Sequence, residues 1–266
     1  MTDTPQPAEK PKLRWYQYRL WHLFLVTLVF ALWLGWICHK ARQQKKAVEA
    51  IQELGGEVTY DYEYDANDNY IPDAKPPGPA WFRKLVGVDF LAEVVCVLLP
   101  FRVTDAGVEH LNGLANLKRL MLSSRKVTDT GLVHLKGLTK LEVLWLDHTQ
   151  ATDAGLEHLQ GLVKLEYLLL KDTQVSDVGF EHLKGLTNLK MLDLDRTQVS
   201  DTGIEHLKGL TKLEVLNLRG THVSDTGLVH LKGLTKLEEL WLIDTQVTDD
   251  GVEKLQQALP NCHIIR

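Results

Sequence analysis

Residues 127–150 read VTDTGLVHLKGLTKLEVLWLDHTQ, and residues 199–222 read VSDTGIEHLKGLTKLEVLNLRGTH. The two stretches share the octet GLTKLEVL letter for letter, so one unit of 24 residues is used more than once. The same frame opens at Val103 and runs without insertion through six units to Gln246. A seventh begins VTDDGVEKL at Val247 and then departs into QQALPNCHIIR. A unit this short cannot bury an apolar face alone, so the period predicts a solenoid in which each unit stacks on its neighbours.

Two spacings alternate within a unit. Leu144 and Leu146 are separated by one residue, as in a strand. Leu228 and Leu231 stand three apart, as on a helix face, and Gly233 provides the stop. Ser or Thr and Asp at the head of that segment are N-cap candidates. Strand and short helix therefore recur in fixed order, predicting an α/β fold with a parallel inner sheet and short outer helices.

The segment L-x-x-L-x-L-x-x-T, carried by Leu141, Leu144, Leu146 and Thr149, resembles the leucine-rich repeat family. It matches that family's pattern L-x-x-L-x-L-x-x-N/C-x-L, except that Thr149, Thr173, Thr197, Thr221 and Thr245 take the Asn/Cys place. The unit length and the VTDxGLxHLKGLTxLxxL wording are similar to the ribonuclease-inhibitor-like, cysteine-containing branch, and especially to planctomycete-type bacterial membrane-anchored repeats. The resemblance covers residues 94–266. It implies a right-handed leucine-rich-repeat solenoid with a concave sheet, in which the threonine hydroxyl would bond the backbone of the loop after the strand. Eukaryotic relatives of this branch are often ubiquitin-ligase adaptors with an F-box. Here a membrane span and stalk hold that position, so the role is not carried over.

Function is expected where units differ. The strand frame predicts three columns of side chains facing away from the core. The first is Val95, Arg119, Val143, Tyr167, Met191, Val215 and Glu239, and the second is Val97, Met121, Trp145, Leu169, Asp193, Asn217 and Trp241. The third, Leu99, Ser123, Asp147, Lys171, Asp195, Arg219 and Ile243, contains alternating charges that would neutralise one another across strands about 4.8 Å apart. Met121, Trp145, Tyr167, Leu169 and Met191 form an apolar and aromatic group of the kind that marks partner binding. Together with Asp193, Asn217 and Trp241 they are the expected contact residues for a protein or peptide. A structural spacer without a specific ligand is the rival reading.

No catalytic residue, metal site or cofactor is expected. Ser124, His148 and Asp172 fall in one column in the order of a hydrolytic triad, but neither oxyanion donors nor a substrate pocket accompany them. The histidines at 110, 134, 158, 182, 206 and 230 recur once per unit. Helices of adjacent units lie roughly 8–10 Å apart, too far for two such rings to share a zinc at about 2.0 Å from each. A regular outer-wall packing or loop-bonding role is expected for them. Cys38, Cys96 and Cys262 have no CxxC spacing, and Cys96 and Cys262 are expected as buried hydrophobes. A net charge of -5 offers no broad basic surface to nucleic acid.

Ahead of the repeats, Leu20 to Cys38 carries no formal charge and matches a hydrocarbon core of about 30 Å. Trp15, Tyr16, Tyr18 and Trp21 flank one end, with Trp33 and Trp36 at the other. A single-pass membrane helix is expected at 20–38, after an N-terminal tail at 1–19 and before a helical stalk at 39–56 that Gly55 and Gly56 close. Lys10, Lys12, Arg14 and Arg19 balance Lys40, Arg42, Lys45 and Lys46 across it. With one span and one large C-terminal domain, the repeats are placed on the extracytoplasmic side. EVTYDYEYD alternates like a strand with Val58, Tyr60, Tyr62 and Tyr64 on one side, and NDNYIPDAKPPGP reads as a linker, giving a strand and Pro-rich segment at 57–78. Residues 79–102 are expected to form an N-terminal cap around PAWFRKLVG and an imperfect first strand with Cys96 and Leu98 in the core. Six repeats at 103–246 and a capping repeat at 247–266, closed by Leu259, Cys262 and Ile265, complete a chain expected to be monomeric.

Overall fold

The computed structural model describes residues 15–65, 67 and 69–266. The expected tail residues 1–14, and the side chains of Trp15, Tyr16, Tyr18 and Arg19, lie outside the described residues. The chain divides into two compact units, residues 1–41 and 42–266.

The first unit is built on helix α1, Trp15–Glu53, whose C-terminal part belongs to the second unit. Its apolar stretch has an 18-residue window of mean hydropathy 1.9, none of it buried, so it is long and apolar enough to cross a membrane.

In the second unit the described residues form a sheet of nine strands in sequence order. These are β1 Glu57–Tyr60, β2 Val94–Leu98, β3 Arg119–Met121, β4 Val143–Trp145, β5 Tyr167–Leu169, β6 Met191–Asp193, β7 Val215–Asn217, β8 Glu239–Trp241 and β9 His263–Ile265. All neighbours from β2 onward are parallel, while β1 adds antiparallel to β2. The 24-residue period leaves room for three strand residues per turn. The middle residue, such as Leu144 or Leu168, points into the core, where it meets Leu141, Leu146, Leu156 and Leu159 and their counterparts. The return segment is shorter than a regular helix. One α-turn such as Asp129–Leu132 passes into a 3-10 turn, Val133–Leu135, and in one repeat Asp177–Leu183 is entirely 3-10.

A ladder between repeats holds that return segment. Asp105 Oδ1 accepts from the backbone N–H of Thr128 and Oδ2 from its hydroxyl, at 2.8 and 2.7 Å. The same pair of bonds joins Asp129 to Thr152, Asp153 to Ser176, Asp177 to Ser200, Asp201 to Ser224 and Asp225 to Thr248. The hydroxyls of Thr128, Thr152, Ser224 and Thr248 also cap their own helices, as expected, but the aspartates bind the following repeat instead. From Gly131 onward, the glycine in each return segment lies against the ladder aspartate of the preceding repeat. A Cβ on Gly179 would stand 2.5 Å from Asp153 Oδ1 and 2.9 Å from Leu156 Cδ1. The threonines in the Asn/Cys position are satisfied within their own turn: each donates its hydroxyl to the carbonyl three residues earlier, Thr149 to Leu146 and Thr221 to Leu218, at 2.7 Å.

At the N-terminal end the structure departs from expectation. The segment expected as a stalk runs to Glu53 and buries Ala47, Val48 and Ile51 in the repeat core, and Gln44 donates to the Ala92 carbonyl and accepts from the Val94 N–H. This segment covers the open end of the core, whereas helix α2, Ala80–Val86, buries none of its residues. The expected nine-residue strand ends at Tyr60 and passes into a 3-10 turn, Asp61–Glu63. The first repeat strand is shifted by one residue. Val97 pairs with Leu120 in the core, while Cys96 and Leu98 pair with Arg119 and Met121 on the opposite face. A one-residue slip exchanges the faces of a strand, so Val97 and Leu99 leave the exposed columns and join the core. The other end repeats the lesson: Leu259 and Cys262 close the core, but Ile264 packs there and Ile265 pairs with Trp241.

Candidate functional site

The sheet face turned away from the core is the surface on which units differ. Unbroken parallel register brings Leu98, Met121, Trp145, Leu169, Asp193, Asn217, Trp241 and Ile265 into one column. The other column carries Cys96, Arg119, Val143, Tyr167, Met191, Val215 and Glu239. Trp145 is therefore flanked by Met121 and Leu169, and Tyr167 by Val143 and Met191, at strand spacings of about 4.8 Å. Trp145 and Tyr167 remain 38% and 37% exposed, and their four neighbours are half-buried. Those five expected contact residues, Met121, Trp145, Tyr167, Leu169 and Met191, thus form one patch.

The other three stand apart from it. Asp193 Oδ1 accepts from the Asp195 N–H at 2.9 Å, and Asn217 Oδ1 from the Arg219 N–H at 3.0 Å, so both fasten their own strand exits. Trp241 lies beyond them, its indole N–H 3.5 Å from a Glu239 carboxylate oxygen.

Only part of the expected charge alternation closes. Lys171 Nζ meets Asp195 Oδ2 at 2.9 Å, and that bond raises the lysine pKa. Arg219 turns to Asp244 instead, at 3.6 Å. Asp147 accepts from the Lys171 backbone N–H at 3.0 Å. Burial pushes the carboxyls of Asp147 and Asp193 above the usual carboxylate range, because a half-dry site disfavours the charged form.

The N-terminal segment covers the start of this face. The Arg119 guanidinium sits 4.0 Å from the centre of the Tyr64 ring, a cation–π distance, and Tyr64 is bridged to Tyr70. Cys96 is buried on this face, its thiol pKa raised by desolvation, rather than in the repeat core. Cys262 is in the core, and burial pushes its thiol up to about 11. The covering tyrosine carried a signal in the sequence, but strict alternation assigned Tyr60 and Tyr64 to one side. The turn at Asp61–Glu63 separates them, and the Tyr60 hydroxyl donates to Asp89.

The Ser124–His148–Asp172 column is a loop device. Ser124 is buried and donates to the carbonyls of Phe101 and Val103 at 2.9 and 2.7 Å. His148 and Asp172 occupy left-handed backbone at the strand exits, with their side chains 3.2 Å apart. The recurrent histidines contact neighbouring repeats on the outer wall, His134 with Asn112 at 3.2 Å and His182 with Gln160 at 2.5 Å.

Comparison with known proteins agrees with this architecture. A sequence model described as leucine rich repeat matches residues 164–223. An internalin C2 from Listeria monocytogenes is similar at 30% identity over 66% of this chain and 70% of that one, with a TM-score of 0.52. An internalin, inlF, of the same organism is similar at 26% identity over 61% of this chain and 49% of that one, with a TM-score of 0.50. No curated protein matches the chain. The chain belongs to the leucine-rich repeat family.

Proposed function

We propose that this chain is a single-pass membrane protein whose repeats bind a protein or peptide through the concave face of their sheet. Leucine-rich repeat folds are typically protein-binding. The observation that carries the reading is the adjacent placement of exposed Trp145 and Tyr167 among Met121, Leu169 and Met191 on the face where repeats differ. Aromatic and methionine side chains are favoured at interface centres, and aromatic anchors supply much of the binding energy there. Asp193, Asn217 and Trp241 extend the face toward the C-terminal repeats. The 24-residue unit and its VTDxGLxHLKGLTxLxxL wording support membership of the ribonuclease-inhibitor-like branch, with a likeness to planctomycete-type bacterial repeats.

The apolar part of α1 supports an anchor at residues 20–38, and a single span followed by one large domain is the ground for placing the repeats outside the cytoplasm. A photo-crosslinker at position 145 of the full chain is expected to trap a defined protein from the native membrane, whereas one at Val178, exposed on a return segment, traps none. Trp145→Ala should weaken that partner by roughly 2 kcal/mol or more. Equal trapping from both positions would favour a spacer. A C-terminal tag that stays protease-protected while membranes are intact would overturn the orientation.

A further inference from the structure

At the N-terminal end of the sheet, Leu98, Phe101, Met121 and Trp145 wall an open cavity of about 190 Å³, completed by Gly55, Glu57, Leu99, Pro100 and Ser123. Its size decides what it can take. It is well above the ~10–15 Å³ that admits one water and falls below the ~300–1,000 Å³ of small-molecule pockets. One bulky side chain fits; a cofactor does not.

The wall is held rigidly in an unfavourable place for an apolar group. Phe101 is 79% exposed, and Leu98 and Trp145 are also exposed. The loop presenting the Phe101 ring is pinned by Ser124, whose hydroxyl bridges the carbonyls of Phe101 and Val103. Phe101 stands three residues past the strand exit at Leu98, where the following repeats place Ser124, His148, Asp172, Arg196, Gly220 and Asp244, none with an apolar side chain.

The same loops supply charge. Arg102 follows Phe101, and Arg125 and Lys126 follow Ser123 and Ser124 one repeat on. All three are exposed, and none is ion-paired among the described residues. Glu57 is the one acid in the cavity wall. In a chain of net charge -5, three uncommitted cations beside an apolar notch favour an anionic partner by charge complementarity.

We propose that this notch receives a single bulky apolar side chain of an acidic protein segment, whose flanking carboxylates are held by Arg102, Arg125 and Lys126. The proposal deepens the concave-face reading and rests on it through Met121 and Trp145. The anchor supplies the desolvated contact, and the rim cations select the charge of the residues around it.

The test is selection of a phage-displayed random peptide library on the full chain in detergent, followed by fluorescence polarisation of the winners. Enriched peptides are expected to carry Asp or Glu around one Phe, Trp or Leu, and to bind more weakly as salt is raised. Phe101→Ser, at an exposed position, and Arg125→Glu with Lys126→Glu should each weaken them by about tenfold or more, while Val178→Ser, exposed on a return segment away from the sheet face, leaves them within about twofold. Neutral or basic winners, or winners indifferent to Phe101→Ser, overturn the notch. Winners lost in Tyr167→Ala but retained in Phe101→Ser overturn it while leaving the sheet-face reading standing. Absence of any enrichment over a Gly-Ser control counts against both.

Discussion

The Asp–Ser/Thr ladder and the outward sheet columns are built from the same repeats, yet one is uniform and the other varied. From Asp105 to Thr248 every rung shares one pattern, a carboxylate accepting an N–H and a hydroxyl from the same residue of the next unit, with a second hydroxyl, from Thr202, added at Asp177. Across the sheet, the position of Trp145 is filled by Met121, Leu169, Asp193 and Asn217 in other repeats. The difference teaches where contact between units is compulsory. A rung joins two repeats, so changing either member damages both, while a sheet-face side chain touches its neighbours without depending on their identity.

The sharpest way to break the ladder is to add a methyl group beneath it. Gly179→Ala must displace the Asp153 carboxylate or the Leu156 side chain, since the new Cβ would lie 2.5 and 2.9 Å from them. Overpacking at about 1–3 kcal/mol then adds to the lost carboxylate bonds, for a total of roughly 4 kcal/mol. Denaturant unfolding of the full chain in detergent measures it; a loss no larger than that of an exposed Gly185→Ala control would show that the rung adapts freely. Asp153→Ala removes the bonds to Ser176 N–H and hydroxyl, at 2.7 and 2.6 Å, without adding bulk. Hydrogen bonds to a charged group are worth about 1.5–3 kcal/mol, so a loss of about 2–3 kcal/mol is expected. A double-mutant cycle with Ser176→Ala should return a clear coupling energy, and additivity would remove the rung from the account.

How far the sequence was readable follows from this contrast. The 24-residue period announced the solenoid because every unit repeats Leu141, Leu144 and Leu146. The ladder was also present, as an aspartate 23 residues before each Ser or Thr, but helix-capping chemistry explains the same letters locally and concealed the partner in the next unit. At the ends the period fails. VVCVLL is apolar throughout, so no alternation fixes its register, and the core took Val97 and Leu99 in place of Cys96 and Leu98. Ala47, Val48 and Ile51 lie in a segment whose helical pattern reads equally well as a free stalk until the open repeat end is seen beside it. For the sheet face, alternation identified Trp145 and Tyr167 as outward, but it could not reveal that Tyr64 covers Arg119 or that Asn217 serves its own turn.

On the varied side, truncation should be mild. Trp145→Ala loses cross-strand contacts with Met121 and Leu169, each pair worth about 0.2–1 kcal/mol, so stability should fall by about 1 kcal/mol. Leu144→Ala, one residue away but fully buried, should cost about 2–5 kcal/mol. Melting the two variants side by side checks the contrast. Equal losses would place Trp145 in the structural core and weaken its case as a contact residue.

The smallest effect distinguishes the two regions by the sign of their pH dependence. Burial tends to raise the Asp177 pKa, but bonds from the Ser200 hydroxyl and N–H, Thr202 and Gly203 prevail and hold it below the usual range. A depressed folded-state pKa contributes stability above the unfolded value, and the contribution is lost as pH falls below about 4. Asp193 is displaced the other way by burial. Its contribution is present at acid pH and is lost as pH rises through the elevated folded-state pKa, so its charge is unfavourable at neutrality. Asp177→Asn should therefore lower the neutral-pH melting temperature and converge on wild type in acid. Asp193→Asn retains an acceptor for the Asp195 N–H and should raise the neutral-pH melting temperature by roughly a degree or two. If both substitutions move it in the same direction, the sheet-face carboxylate is held as firmly as a ladder rung, and the division between the two regions fails at that position.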